Sequence, residues 1–210
     1  ESASDENSNI FDLSGLFKER KGLKTSLIGS HQVINAAVAI GIIEAFGIKG
    51  IAISEKAIRD GIRDSKWPGR LEVVGKKPFV LLDGAHNRAS AGTLIAAVKK
   101  IFKYKRLILV LGVSKDKDVR GMLAELLPAA SKIVLTKSKV ANRALDPSKM
   151  REEISAMGHD AKDVVLTSDT GEALDRALSM ADSEDLVLIT GSLFIVGEIK
   201  EHYQRCANII

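Results

Sequence analysis

Cysteine occurs once, as Cys206, so no internal disulfide can form and no thiolate metal cluster can be assembled. A single thiol fits a reducing cytosol, and Cys206 itself reads as a small residue near the end of a helix. Aromatic residues make up only 4% of the chain, too few to furnish the stacking platforms of a nucleic-acid-binding protein. The one dense basic stretch, "KKIFKYKR" (99–106), is expected to be the solvated end of a helix and its link to the next strand. Uninterrupted apolar runs fall far short of the ~20 residues of a membrane span, so no membrane partner is expected. No charged, apolar, then small-residue leader opens the chain. Glu1 rather than Met stands first, and a processed, trimmed or fragmentary chain is the expectation. Three motifs are missing as well. No G-x-x-x-x-G-K-[ST] phosphate loop occurs, no G-x-G-x-x-G follows a strand, and no metal-ligand spacing is present. The missing G-x-G-x-x-G argues against a dinucleotide dehydrogenase.

What is there is an ordinary globular composition: 210 residues, 45% apolar and 28% charged, enough to bury a core. The net charge of +4 and pI near 9.1 suit a protein that handles anions such as nucleotides or polycarboxylates. Residues 1–9, small and polar, are expected to fray. In 10–28, "IFDL" and "SLIG" look like edge strands joined by a basic polar link. A helix is predicted over 30–47, with Ser30 able to cap it and Gly47 able to stop it. A second, amphipathic helix is predicted over 54–64, capped by Ser54. The texture then changes at "RDSKWPGR" (63–70), a charged Trp-Pro-Gly turn without periodicity that marks a linker.

Beyond the linker, strands and helices alternate. Strands are predicted at 71–75, 79–82, 107–111, 132–136, 163–166 and 185–190, and helices at 88–103, 117–127, 147–157, 170–182 and 193–205. Strands such as "LILVLG" and "LVLITG" are apolar on both faces, as in parallel sheets covered on both sides. The alternation predicts an α/β, doubly wound, mostly parallel sheet from about residue 65 to 210.

In such a sheet, ligands bind beyond the carboxyl ends of the strands. Three polar turns fall there: "DGAHN" (83–87), "GVSKDKD" (112–118) and "TGS" (190–192). They put Asp83, His86, Lys115 and Ser192 on one rim. A carboxylate there can accept bonds from ribose hydroxyls, an imidazole can meet a purine, and a lysine can meet phosphate. Each has a plainer alternative: Asp83 ordering its own turn, His86 and Lys115 in solvated loops, Ser192 as a helix cap. Arg70 leaves a Pro-Gly turn into a strand, a fixed mount for forked bonds to phosphate, or else it is a surface arginine. His31 and Asn35 are four apart on one helix face that Ala39 and Ile42 continue. The Asn35 carboxamide offers the donor and acceptor that an adenine edge needs, or it serves an interhelical bond.

Taken together, "GSHQVINAAVA" (29–39), "WPGRLE" (67–72), "LLDGAHN" (81–87), "LGVSKDKD" (111–118) and "TGSLFIVGE" (190–198) resemble the folylpolyglutamate synthase / dihydrofolate synthase family of the Mur ligase superfamily, in its order and over nearly the whole chain. The resemblance implies a Rossmann-like carboxyl-terminal ligase domain (71–210), a hinge linker (63–70) and, in residues 1–62, the tail of a central ATPase domain. It implies an enzyme that uses ATP and Mg2+ to join L-glutamate to a folate or dihydropteroate carboxylate through an acyl phosphate, with ATP held between the two domains. Carried over, Asn35 would contact adenine, Arg70 the phosphates, Asp83 the ribose, and His86 the nucleotide. Ser192 would lie on the glutamate side, and His31, Lys115 and Lys117 would make possible phosphate or substrate contacts. The family's usual Pro after "DGAHN" is Arg88 in this chain. The phosphate loop, magnesium ligands and folate pocket would belong to the rest of a parent enzyme. This chain alone is then expected to hold no catalytic residue and to be inactive. A Mur-type ligase with a different acid acceptor, or a non-catalytic nucleotide-binding module, is the alternative.

Overall fold

The computed structural model describes residues 2–140, 142–160, 162 and 164–207. It divides into two compact units, Glu1–Arg70 with Lys100–Phe102, and Leu71–Lys99 with Lys103–Ile210.

The first unit holds three antiparallel strands, β1 (Ser2–Ser4), β2 (Asn9–Ser14) and β3 (Glu19–Thr25), then α1 (Ser30–Ile48) and α2 (Glu55–Asp64). The amino-terminal stretch is a strand pair, not a frayed end. Asp5 closes the β1–β2 turn by accepting from Asn7 N and Ser8 N, both at 2.8 Å. Asn9, fully buried, donates through Nδ2 to the carbonyls of Leu27 and Gly29. β3 likewise lies in the basic stretch expected to be a link, and "SLIG" lies outside the strands. The hairpin register decides this: it turns Arg20, Leu23 and Thr25 inward and leaves the lysines in water. Phe11, Leu23, Ala36, Ile40 and Ile58 form the small core.

Two helix ends also differ from expectation. Gly29, at φ 99°, occupies the cap position of α1, and Ser30 is already helical. Gly47 does not stop the helix. Gly50, at φ 82°, does so, with Gly50 N bonded to Gly47 O and Ile51 N to Phe46 O, the paired bonds of a Schellman ending. Ser54 caps α2 as predicted, accepting from Ala57 N. By length and composition α1 is long and apolar enough to cross a membrane, although its apolar residues do not form an uninterrupted run. Gln32 and Glu44 break the run, but both are buried on its inner face.

The second unit is a six-stranded sheet ordered β4-β5-β9-β6-β7-β8: β4 (Glu72–Lys76), β5 (Phe79–Leu82), β6 (Leu107–Leu111), β7 (Lys132–Leu135), β8 (Val164–Leu166) and β9 (Leu186–Thr190). β4 runs antiparallel to β5, and every other pairing is parallel. The predicted strand position at residue 163 lies outside the described residues. Helices α3 (Arg88–Ile101), α4 (Val119–Leu126), α5 (Pro147–Ala156), α6 (Thr170–Met180) and α7 (Leu193–Ala207) connect and follow the strands. All residues of β6 and β9 are buried, so both sheet faces are covered. Val80, Leu82, Ile108, Val110, Val187 and Ile189 pack in one cluster with Leu174 of α6 and Ile195 and Ile199 of α7. The alternate set, including Leu81, Leu109 and Leu188, points to the opposite face. Asp118, Asp146 and Asp169 cap α4, α5 and α6 through their carboxylates.

Candidate functional site

The chain passes from β5 to β6 and on to β7 and β8, then returns to insert β9 between β5 and β6. This reversal brings the loops after β5, β6 and β9 together at the carboxyl end of the sheet. They are bonded to one another: Asp83 N to Ile189 O at 3.0 Å, Gly191 N to Ala85 O at 2.9 Å, and Gly112 N to Thr190 O at 3.3 Å. Gly191 adopts φ 106°, and a Cβ there would lie 2.5 Å from the Gly112 carbonyl oxygen. Only glycine fits that crossing.

Asp83 is 6% exposed, and its two carboxylate oxygens accept from different amides, Leu71 N through Oδ2 and Ala85 N through Oδ1, each at 2.8 Å. Leu71 has φ 45°, an uncommon conformation for a branched side chain, and it is buried. The carboxylate therefore ties a strained entry to β4 to the turn after β5. The Nδ1–H of His86 donates to Gly84 O at 2.9 Å, which orients the ring and makes Nε2 an acceptor in the neutral form. Ser192 is buried, and its Oγ accepts from Phe194 N at 3.2 Å in the first turn of α7. Asp83, His86 and Ser192 thus share one constructed rim. Lys117 pairs with Asp116 at 2.8 Å. Lys115 lines a separate cavity of about 310 Å³ with Lys137, Ser138, Lys139 and Asp146, near the carboxyl end of β7.

The first unit carries its own cavity, of about 580 Å³. His31, Gln32 and Asn35 of α1 line it, together with Lys66, Trp67 and Arg70. The Asn35 Nδ2 donates to Gln32 Oε1 at 3.0 Å, and Gln32 Nε2 donates to His31 Nε2 at 3.1 Å. This chain of amides aligns Asn35 and leaves its Oδ1 and second amide hydrogen for a ligand. The Arg70 guanidinium lies 5.8 Å from the centroid of the Trp67 ring. His31, Asn35 and Arg70 are thus brought to one cavity. Trp67 joins them although its sequence signal is only that of a turn. Its chemical signal is that a lone, large aromatic residue sits beside a Pro-Gly pair.

Among the described residues no group of three or more His, Cys, Asp or Glu side chains could hold a metal ion. None of the described residues is assigned to a magnesium site.

The family of the Mur ligase glutamate ligase domain matches residues 69–193, more than half of the chain. This chain belongs to the Mur ligase family. Several of its relatives are folylpolyglutamate synthases or dihydrofolate synthases. A probable bifunctional folylpolyglutamate synthase/dihydropteroate synthase of Haloferax volcanii is 35% identical over 187 residues, covering 89% of this chain and 21% of that protein. The dihydrofolate synthase/folylpolyglutamate synthase of Bacillus subtilis is 34% identical over 185 residues, covering 85% of this chain and 40% of that protein. The crystal structure of Mycobacterium tuberculosis folylpolyglutamate synthase complexed with ADP and AMPPCP superposes with a TM-score of 0.87 at 30% identity, over 97% of this chain and 47% of that one. The Mur ligase chain described above therefore spans less than half the length of the relatives it matches.

Proposed function

We propose that this chain is the carboxyl-terminal part of an ATP-dependent ligase that adds L-glutamate to a folate or dihydropteroate carboxylate. In the reaction, the acceptor carboxylate attacks the γ-phosphorus of ATP, giving an acyl phosphate and ADP. The glutamate amine then attacks the acyl carbon, and inorganic phosphate leaves as the amide forms. Asn35 reads the adenine edge, with His31 behind it, and Arg70 meets the phosphates. Asp83 orders its turn and accepts from the ribose, with His86 Nε2 beside the nucleotide. Ser192 lies toward glutamate, and Lys115 and Lys117 attract its carboxylates or phosphate. Residues 63–70 serve as the hinge linker between the tail of the ATPase domain and the ligase domain. Magnesium ligands and the acid acceptor's pocket belong to the part of the parent that this chain lacks.

The observation that carries the reading is the cavity that collects Asn35, His31 and Arg70, of which Arg70 lies within the segment matched to the family. It is tested by an ATP-dependent glutamate ligation assay on a longer protein carrying this chain, with dihydropteroate and tetrahydrofolate offered separately and the present chain run alongside. Product from the longer protein and none from the chain is expected. Silence with both pterins would move the proposal to a Mur-type ligase with another acid acceptor. Nucleotide binding by the chain without turnover in any longer form would favour a non-catalytic nucleotide-binding module.

A further inference from the structure

We propose that Trp67 is the aromatic wall against which the nucleobase packs in the cavity of the first unit, an inference that rests on the nucleotide reading above. The cavity, about 580 Å³, falls in the range of small-molecule sites, which combine apolar and aromatic walls with a few placed polar groups. Its polar edge is the Asn35–Gln32–His31 chain of amide and imidazole. Ala36 and Ala39 keep the α1 wall low between Asn35 and the next turn, so a flat ligand can lie close to the helix. Trp67 supplies the one indole or phenyl ring in the lining. It is 61% exposed, so a large apolar surface is left to a ligand.

A purine needs these two things together. Its edge requires a paired donor and acceptor, which a carboxamide offers, and its face requires a π surface. Arg70 adds a third indication. Its guanidinium, itself part of the lining, already sits 5.8 Å from the ring centroid, so a planar group reaches the indole from within the cavity. A sugar or a dicarboxylate would use the polar edge but gain little from the ring.

Trp67 is the only tryptophan in the chain, so indole emission reports this cavity alone. The experiment titrates this chain with ADP, adenosine and pyrophosphate while following tryptophan fluorescence, and measures ADP binding by calorimetry for wild type, Trp67→Phe and Trp67→Ala. ADP and adenosine should shift or quench the emission and pyrophosphate should not. Trp67→Ala should weaken ADP binding about 10-fold, in line with loss of a base–aromatic stack, and Trp67→Phe should lose less because a ring remains. Since Trp67 is exposed, both variants should retain the wild-type circular dichroism. ADP binding with unchanged emission, and with equal affinity in Trp67→Ala, would overturn the role of Trp67 while leaving the nucleotide reading standing. An emission change produced equally by pyrophosphate would also overturn it, because the signal would then report Arg70 rather than a base. No binding heat from ADP with the wild-type chain would overturn the nucleotide reading of this chain, and this inference with it.

Discussion

Helix α1 in the first unit and strand β6 in the second are both rich in branched aliphatic residues, yet they end in opposite environments. β6 is buried along its whole length. On α1, Gln32, Ala36, Ile40 and Glu44 are buried, while Ile34, Val38, Ile42 and Phe46 are exposed on the other side. The two rows each repeat every four residues and are offset by two, which places them about 200° apart on the helix. Apolar composition therefore marks a surface to be covered, and the fold decides whether the chain itself covers it. The second unit closes its core between two helix layers. The first unit covers one face of α1 with a small hairpin, and the exposed stripe is of the kind that marks an association surface.

The polar contents of the two units differ in the same way. In the first, Arg20 is almost fully buried, bonded through Nη1 to buried Glu44 of α1 and through Nε to Glu55 of α2 at 3.1 Å. Glu44 also accepts from Leu16 N at 2.6 Å. A unit with so small an apolar core is thus braced by an ion cluster that joins β3, α1 and α2. In the second unit, buried Asp185, just before β9, pairs with Arg106 at 2.5 Å, and the apolar cluster around β6 and β9 holds no charged side chain.

The contrast is sharpest under mutation of the cluster. Glu44→Ala removes the buried carboxylate that Arg20 Nη1 meets, leaving only Glu55, and should destabilise the first unit by about 3–5 kcal/mol. Chemical denaturation followed by Trp67 fluorescence should show the loss, and circular dichroism should retain a later transition from the second unit. A single unshifted transition by both probes would dissolve the distinction between the units. Leu109→Ala, at the centre of β6, should cost about 2–5 kcal/mol and move the second unit's transition instead. Asp83→Ala deprives Leu71 N and Ala85 N of their acceptor and should lower that same transition by about 1–3 kcal/mol. It should also impair nucleotide use in the longer protein.

Acid should separate the units less strongly. The hydrogen bond from Arg20, helped by Leu16 N and opposed by burial, holds the Glu44 carboxyl below its ordinary value of 4.5. The hydrogen bond from Arg106, opposed by burial and helped by Asp182 N, likewise holds Asp185 below 3.8. Both folded values are depressed, so the unfolded chain takes up these protons first as pH falls. Their stabilisation is complete above the ordinary carboxylate range and is lost as pH drops through the folded values. Denaturation midpoints measured from pH 7 down to pH 3 should be flat and then fall, and Glu44→Gln should flatten the fall for the first unit only. The smallest effect on stability, within about 0.5 kcal/mol, is expected for Val38→Asp on the exposed stripe. That variant should still reduce self-association of the chain in sedimentation, and an unchanged sedimentation profile would show that the stripe is not an association face.

Much of the second unit is legible in the residues because local and tertiary preferences agree. Runs such as "LILVL" and "LVLIT" suit strands covered on both faces, and Asp118, Asp146 and Asp169 announce the helices they cap. The first unit is less legible because its elements depend on distant partners. β3 contains Lys21, Gly22 and Lys24 and has weak strand propensity; its pairing with β2 and the bond from Arg20 to Glu44 hold it. Position and chemistry divide similarly at the site. Strand-end turns locate Asp83, His86 and Ser192 at one rim, but only the folded chain shows that the Asp83 carboxylate grips Leu71 twelve residues away.

By itself, the sequence determined which segments become strands and helices in the second unit, where its turns fall, and which polar side chains stand at those turns. Periodicity and capping act over a few residues, and one chain carries that information in full. Tertiary structure alone decided that the basic stretch after Phe17 pairs as a strand, and that Gly50 rather than Gly47 ends α1. It also decided that Trp67 joins Asn35 and Arg70 around one cavity. Those outcomes rest on pairing register, on which of several permitted glycines takes a positive φ, and on contacts between residues tens of positions apart, which no local window contains.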